Sequence, residues 1–199
     1  MKKISIFAIC VMATVAAYAG GVGLKVLPNL SPDTAKYAVE AQTITQITAL
    51  ETTAKGRLWA SVLCNGDGAE GFLSLVYSDS KGEKWSDTIV ALDAREDKLS
   101  VRNGVLWLSP KSELWLFYTV FDGYFDGRGS LWAIACKNPD DVNPVWNAPQ
   151  YLGVGVATGR PIVNKLGAWM LPSALWGRDV ISYDKTPFIA NQWDTPRFV

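Results

Sequence analysis

The sequence of this chain repeats itself with a period of about 55 residues, which limits the folds that it can adopt. Short motifs with a central tryptophan recur at Trp59, Trp115 and Trp169, at intervals of 56 and 54 residues. Between the first two motifs the agreement continues, because residues 71–77 align with residues 129–135 at an offset of 58. The chain is therefore predicted to repeat one structural unit along most of its length.

Each unit is predicted to contain short strands, and helical periodicity is hard to find after residue 39. The predicted strands are residues 43–50, 57–64, 71–77 and 87–92 in the first unit, 105–108, 114–121, 130–136 and 148–152 in the second, and 162–165 and 168–176 in the third. Four strands in about 55 residues are typical of a β-propeller blade. We therefore predict an all-β, propeller-type fold with about three blades, at residues 40–97, 102–155 and 160–199.

Three blades are fewer than a closed propeller contains, since known propellers have roughly four to eight. An open stack would leave sheet faces and strand edges uncovered. We therefore expect this chain to be a truncated product or fragment, or to close only by self-association.

The N-terminus has the pattern of a secretory signal peptide. Lys2 and Lys3 precede an apolar run over residues 4–17, and small residues at an interval of two lead to Ala19. The run is shorter than the ~20 residues that a membrane span requires. We expect cleavage after Ala19, a secreted or periplasmic protein without a membrane anchor, and an irregular lead-in over residues 20–38.

The cysteines do not predict a disulfide framework. Cys10 lies in the predicted signal peptide, which leaves Cys64 and Cys136 in the mature chain. The two could pair in an oxidising compartment, but two cysteines in a large β chain favour buried free thiols.

Composition excludes several function classes. The 19 basic and 19 acidic residues give no net charge, which provides no electrostatic reason for nucleic acid as a partner. The chain has no histidine, so histidine bases and histidine-ligated zinc are excluded. No Asp-x-Asp-x-Asp-Gly series indicates a calcium loop, and we predict neither a metal nor a cofactor. The nine tryptophans are expected mainly to pack between sheets, although they also suit stacking on sugars.

Strand polarity predicts where a functional site would lie. In a meander successive loops alternate between two rims, and one rim collects most of the arginines and carboxylates of interest. The candidate residues on this rim are Gln46, Asp67, Glu70, Arg102, Asp122, Asp126 and Arg160. Arginine pairs bidentately with carboxylates, and carboxylic acids donate protons in glycosidic cleavage, so this set suits a sugar acid. The alternative is that these glycine-rich loops are ordinary solvated turns.

A hairpin over residues 78–85 is predicted on the opposite rim. Ser78, Gly82 and Trp85 match the pattern Ser/Thr-x-Asp-x-Gly-x-x-Trp/Phe, while Ser80 occupies the Asp position and Asp79 comes one residue early. This hairpin resembles the Asp-box of the sialidase (neuraminidase) superfamily. Together with the tryptophan repeats, it makes residues 40–180 similar to BNR-repeat, sialidase-like proteins of exported polysaccharide-degrading systems.

The resemblance implies a six-bladed propeller and an exo-acting glycoside hydrolase. In sialidases an arginine triad binds the substrate carboxylate, an Asp is the acid/base, and a Tyr paired with a Glu is the nucleophile. By register, Asp67 or Glu70 would be the acid/base, and Arg102 and Arg160 would bind the anion.

The chain departs from that family at the first triad arginine, where Gln46 stands in place of the arginine of an Arg-Ile-Pro motif. Glutamine cannot balance a carboxylate, so the expected substrate is an acidic or modified terminal sugar of a glycan rather than sialic acid in particular. The remaining arginines and the nucleophile would lie beyond Val199, and the chain by itself is expected to be inactive. The alternative function is a non-catalytic carbohydrate-binding or scaffold propeller.

Overall fold

The computed structural model describes residues 23–38, 41–66, 68, 70–122, 129–174, 176–180, 189–193 and 197–198. The predicted signal peptide lies outside these residues. The described part is all-β and antiparallel, and none of its sheets closes on itself. No helix in the described part is long and apolar enough to cross a membrane.

Two successive four-stranded meanders form the body of the molecule. The first sheet contains β1 (Ile44–Thr52), β2 (Leu58–Cys64), β3 (Phe72–Ser78) and β4 (Val90–Leu92), and the second contains β5 (Leu99–Leu108), β6 (Leu114–Asp122), β7 (Ser130–Cys136) and β8 (Gln150–Val154). In each sheet the spatial order follows the chain order. The eight strands predicted for the first two units are therefore confirmed, most with bounds shifted by one or two residues.

The start of β5 is the largest difference from the predicted strands. We expected this strand to begin at residue 105, but it begins at Leu99 and contains a register shift between Arg102 and Val105. Asn103 there has a φ of 54°, and a Cβ on Gly104 would collide with Ser61 Oγ of the first sheet. The Asn-Gly pair, which predicts a turn, instead forms a bulge that lets β5 approach its neighbour closely.

The two sheets pack face to face through alternate residues of their strands. Leu116 and Tyr118 of β6 face the first sheet and pack in one cluster with Trp59 and Leu75. The intervening Phe117 faces the other way, toward Ala157 and Leu171. Because both faces of the second sheet are covered, its strands are apolar almost throughout.

In its described residues, the third unit does not repeat the meander. Its strands are β9 (Val156–Ala157), β10 (Ile162–Val163), β11 (Trp169–Met170), β12 (Pro172–Ala174), β13 (Trp176–Val180), β14 (Ile189–Trp193) and β15 (Arg197–Phe198). They form three small sheets, β15-β12-β9, β10-β11 and β13-β14. The predicted strand over residues 168–176 is wrong as one element, because Pro172 begins a new strand and has no N–H to continue the old one. A third blade is not confirmed.

The lead-in forms a defined strap. This N-terminal strap (residues 23–38) begins beside the second sheet, where Trp132 Nε1 donates to the Leu24 carbonyl at 2.8 Å. It then pairs with the outer strand of the first sheet through two hydrogen bonds between Asn29 and Ala91, of 2.8 and 3.0 Å. It ends in a one-turn helix, α1 (Thr34–Tyr37), on the far face of that sheet. We expected residues 20–38 to be irregular, and helix α1 corrects that expectation for residues 34–37.

Asp33 explains why a helix begins in a segment that is otherwise irregular. Its side chain caps α1 by accepting from the backbone N–H groups of Ala35 and Lys36 at 2.8 and 3.2 Å. Tyr37 at the other end is buried against Phe72.

The strands define two rims. The upper rim contains residues 65, 66, 68, 70, 71 and 93–98, with the start of β1 and the end of β6. The lower rim contains residues 53–57, 79–89, 109–113 and 137–149.

The hairpin over residues 78–85 lies on the lower rim, as predicted. Ser78 Oγ accepts from the backbone N–H groups of Ser80 and Gly82, at 3.2 and 3.0 Å. Ser80 Oγ accepts from Lys84 N at 2.7 Å. Gly82 has a φ of 91°, and a Cβ there would lie 3.9 Å from Trp85. Trp85 therefore covers the turn, although 39% of it is exposed.

Cys64 and Cys136 are buried free thiols, which confirms the prediction. Burial raises the pKa of each thiol to about 11. Both are therefore unreactive in the folded protein.

Candidate functional site

Three of the residues predicted from the sequence lie on the upper rim. Gln46 lies near the start of β1, Glu70 lies in the loop before β3, and Asp122 ends β6. All three are exposed. Asp67 and Asp126 lie outside the described residues, so their roles stay predictions.

The loop before β3 is fixed to the segment that leads into β1. Asn65, with a φ of 62°, accepts from Thr43 N at 3.1 Å and donates from its side-chain amide to Gln42 at 2.9 Å. Gly66 N donates to Thr45 Oγ1 at 2.7 Å. Asparagine and glycine tolerate these left-handed conformations, which explains how the turn forms. The loop that carries Glu70 is thus held beside Gln46.

An ionic cluster that the sequence did not predict occupies the same rim. The Asp93 carboxylate accepts from Arg95 Nε at 2.9 Å and from Arg95 Nη2 at 2.7 Å. Tyr37 OH, from the strap, donates to Asp93 Oδ2 at 2.9 Å. The guanidinium of Arg95 lies 4.7 Å from the centroid of the Phe72 ring. We call Tyr37, Asp93, Arg95 and Phe72 the rim cluster.

The protonation states in the rim cluster follow from these bonds. Burial alone raises the pKa of Asp93, but hydrogen bonds from Arg95 and Tyr37 outweigh it, so the pKa lies below the ordinary value. Hydrogen bonding to Asp93 raises the pKa of Arg95, and the charge of Glu70 acts in the same direction. Burial raises the pKa of Tyr37. At neutral pH the cluster therefore holds an ionised pair and a neutral phenol.

Arg102 is not the exposed loop residue that the sequence predicted. It lies within β5 and is only 4% exposed. Its guanidinium is 5.6 Å from the centroid of the Phe121 ring, on the face of the second sheet that is turned away from the first. The bulge in β5 explains the difference, because it keeps Arg102 within the strand.

Arg160 does not lie with the other candidates. Its Nη2 donates to the Leu50 carbonyl at 2.6 Å, and its Nη1 is 3.5 Å from the Glu51 carboxylate. The same carboxylate accepts from Leu108 N at 3.1 Å. Leu50, Glu51 and Leu108 are near the lower ends of β1 and β5. The sequence placed Arg160 by assuming a third meander, which the described strands from residue 156 onward do not form.

The upper rim therefore presents hydrogen-bonding and charged groups of both signs around Glu70 and Arg95. Carboxylates accept from hydroxyl groups, while amides and guanidinium groups donate to oxygen, so the chemistry suits a polyhydroxylated ligand. Sequence spacing could not reveal the rim cluster, since Tyr37 and Asp93 are 56 residues apart and belong to no repeat. The local sequence signal for this cluster was an aspartate directly after β4, Asp93, followed two residues later by Arg95.

Comparisons with known proteins identify no family for this chain. No family model matches it, and a search of curated proteins finds no match.

Proposed function

We propose that this chain is part of an exported, sialidase-like β-propeller protein that acts on an acidic or modified terminal sugar of a glycan as an exo-glycoside hydrolase. The observation that carries the proposal is the pair of stacked four-stranded meanders, with the Asp-box-like hairpin on one rim and the exposed charged groups on the other. Asp-box hairpins mark blades, so the opposite rim is where the ligand would bind.

Glu70 is the proposed acid/base among the described residues. It is exposed on a loop that hydrogen bonds connect to the start of β1. Its charge contributes to the raised pKa of Arg95. Gln46 would donate from its amide to sugar oxygens, and Asp122 would accept from hydroxyl groups. Asp67 and Asp126 remain further candidates from the sequence.

A specific observation favours a second candidate, a non-catalytic sugar-binding propeller. Asp93 is the rim carboxylate with the most defined partners, and its lowered pKa keeps it ionised. An ionised carboxylate cannot act as the general acid that glycosidic cleavage requires. Asp93 would then serve binding geometry alone.

Hydrolysis and binding can be separated with the full chain and two substitutions. The substrates are 4-methylumbelliferyl glycosides of N-acetylneuraminic acid and glucuronic acid, and binding is followed by calorimetry with the matching methyl glycosides. Glu70→Gln removes the acid/base, while Glu83→Gln changes an exposed carboxylate of the hairpin on the lower rim.

A hydrolase releases methylumbelliferone, loses release by at least about 100-fold in Glu70→Gln, and keeps it in Glu83→Gln. A binding protein releases nothing but binds a methyl glycoside. A chain that neither binds nor cleaves these acidic glycosides contradicts the proposed function. Turnover by this chain would also overturn the expectation that it is inactive alone.

A further inference from the structure

We propose that Tyr37 of the N-terminal strap is a positioning residue for Arg95, and that Arg95 binds an oxygen of the sugar ligand through Nη1. The ligand part of this inference rests on the proposed function. The positioning part rests on the geometry of the rim cluster alone.

Arg95 has one nitrogen available for a ligand. Nε and Nη2 both donate to Asp93, and Nη1 makes no hydrogen bond within the described part of the chain. The Phe72 ring lies against the guanidinium plane, and 25% of the side chain is exposed. A guanidinium fixed on two sides loses little conformational entropy when it binds a third partner.

Asp93 determines where that guanidinium points. Its carboxylate also accepts from the backbone N–H of Arg95 at 3.1 Å, and only 11% of the side chain is exposed. Lys36 Nζ, on the strap, is 4.0 Å from both Asp93 and Glu96. These contacts make Asp93 the link between the strap and the loop over residues 93–98.

Tyr37 fixes Asp93 from the buried side. Its hydroxyl donates to Oδ2, its ring meets the edge of Phe72 with centroids 5.5 Å apart, and its carbonyl accepts from Thr88 Oγ1 at 2.8 Å. The loop has little regular structure of its own. Arg95–Asp97 forms a single 3-10 turn, which ends at Lys98 with a φ of 57°. Loss of the phenol hydroxyl would leave the carboxylate held by Lys36 and by the side chain and backbone N–H of Arg95, without a partner on the buried side, and the loop would open more often.

Two substitutions separate positioning from general stability. Tyr37→Phe removes only the hydroxyl and keeps the ring contact with Phe72. Thr88→Val is the matched control, because it removes the hydrogen bonds of Thr88 to the Tyr37 carbonyl and to Ser74 Oγ but leaves the bond between Tyr37 and Asp93. Each variant removes a hydrogen bond of the strap, but only Tyr37→Phe removes one that Asp93 accepts.

Amide hydrogen exchange of the full chain tests the positioning. In Tyr37→Phe, exchange of the amides of residues 94–98 should accelerate about tenfold, as expected for a lost hydrogen bond to a charged acceptor. In Thr88→Val the same amides should change by less than about threefold. Equal exchange at residues 94–98 in the two variants overturns the positioning, whatever the sugar measurements show.

Calorimetry with methyl glycosides of N-acetylneuraminic acid and glucuronic acid tests the ligand role. Arg95→Lys should weaken binding at least about fivefold, because lysine lacks the planar fork of the guanidinium group. Tyr37→Phe should weaken binding by at least the same factor, whereas Thr88→Val should not. Accelerated exchange with unchanged affinity overturns the role of Arg95 in binding. A wild-type chain that binds neither glycoside overturns the proposed function and that role, while the exchange data still decide the positioning.

Discussion

Arg57 joins three parts of the lower rim through one side chain. Its Nε and Nη2 donate to the two oxygens of Asp79 at 2.8 and 2.9 Å. Its Nη1 donates to the carbonyls of Pro139 and Asp141, at 3.2 and 2.6 Å, in the turn between β7 and β8 of the second sheet. The guanidinium also stacks 3.9 Å above the Tyr77 ring. Arg57 therefore links the hairpin of the first sheet to the matching turn of the second.

Arg57→Ala should lower the free energy of unfolding by about 2–4 kcal/mol, because it removes a donor from the Asp141 and Pro139 carbonyls and removes packing on Tyr77. The Pro139 carbonyl keeps a second donor, Trp59 Nε1, at 3.1 Å. Asp79→Asn should lower it by less than about 1 kcal/mol, since the Asp79 side chain is 59% exposed and the amide oxygen of asparagine can still accept from Arg57. Urea unfolding followed by tryptophan fluorescence measures both. Equal losses in the two variants would show that the ion pair, and not the carbonyl contacts, provides the stability.

Asp93 should make stability depend on pH. Its folded pKa lies below the unfolded value of about 3.9, so its contribution is full above about pH 4 and is lost as the pH falls through the folded pKa. Asp93→Asn should therefore cost about 1–2 kcal/mol at pH 7, and the difference from wild type should shrink below pH 4. Urea unfolding between pH 2.5 and 7 measures it. A difference that is constant over this range would contradict the account.

At the scale of secondary structure, short strand-like runs that repeat at about 55 residues were sufficient to predict eight strands in two meanders. They failed where tertiary contact decided the backbone. Gly104 approaches Ser61 too closely for a side chain, and the bulge there belongs to a strand that begins at Leu99 and not at residue 105 as predicted. The strap follows the sheets because Tyr118 and Trp132 donate to its carbonyls, and nothing in its own sequence indicates those donors.

The hairpin provides a test at the same scale. Gly82 has a φ of 91°, and a Cβ would meet only Leu58 and Trp85 at 3.8 and 3.9 Å. Gly82→Ala should therefore cost about 1–2 kcal/mol through backbone strain alone. Gly68→Ala is the control, because a Cβ there meets nothing within 4 Å and its φ is not positive in the left-handed range. Thermal unfolding compares them, and an equally stable Gly82→Ala variant would contradict the turn geometry.

At the scale of the whole molecule, the proposed function assigns different roles to the two rims. Strand polarity was enough to place Gln46, Glu70 and Asp122 on one rim and the hairpin on the other. It could not place Arg160, because the third unit pairs its strands differently, and it could not reveal Tyr37, whose partner belongs to another part of the chain. The part of the site that follows a repeat was predictable, and the part that the strap contributes was not.

An NMR titration of the full chain, followed through amide chemical shifts, tests whether the upper rim binds the sugar. Methyl glycosides of N-acetylneuraminic acid and glucuronic acid are the ligands. We expect concentration-dependent shifts at Gln46, Glu70 and Arg95 on the upper rim, with residues 79–85 of the hairpin unchanged. Shifts that concentrate on the hairpin, or no shifts with either glycoside, would contradict the account.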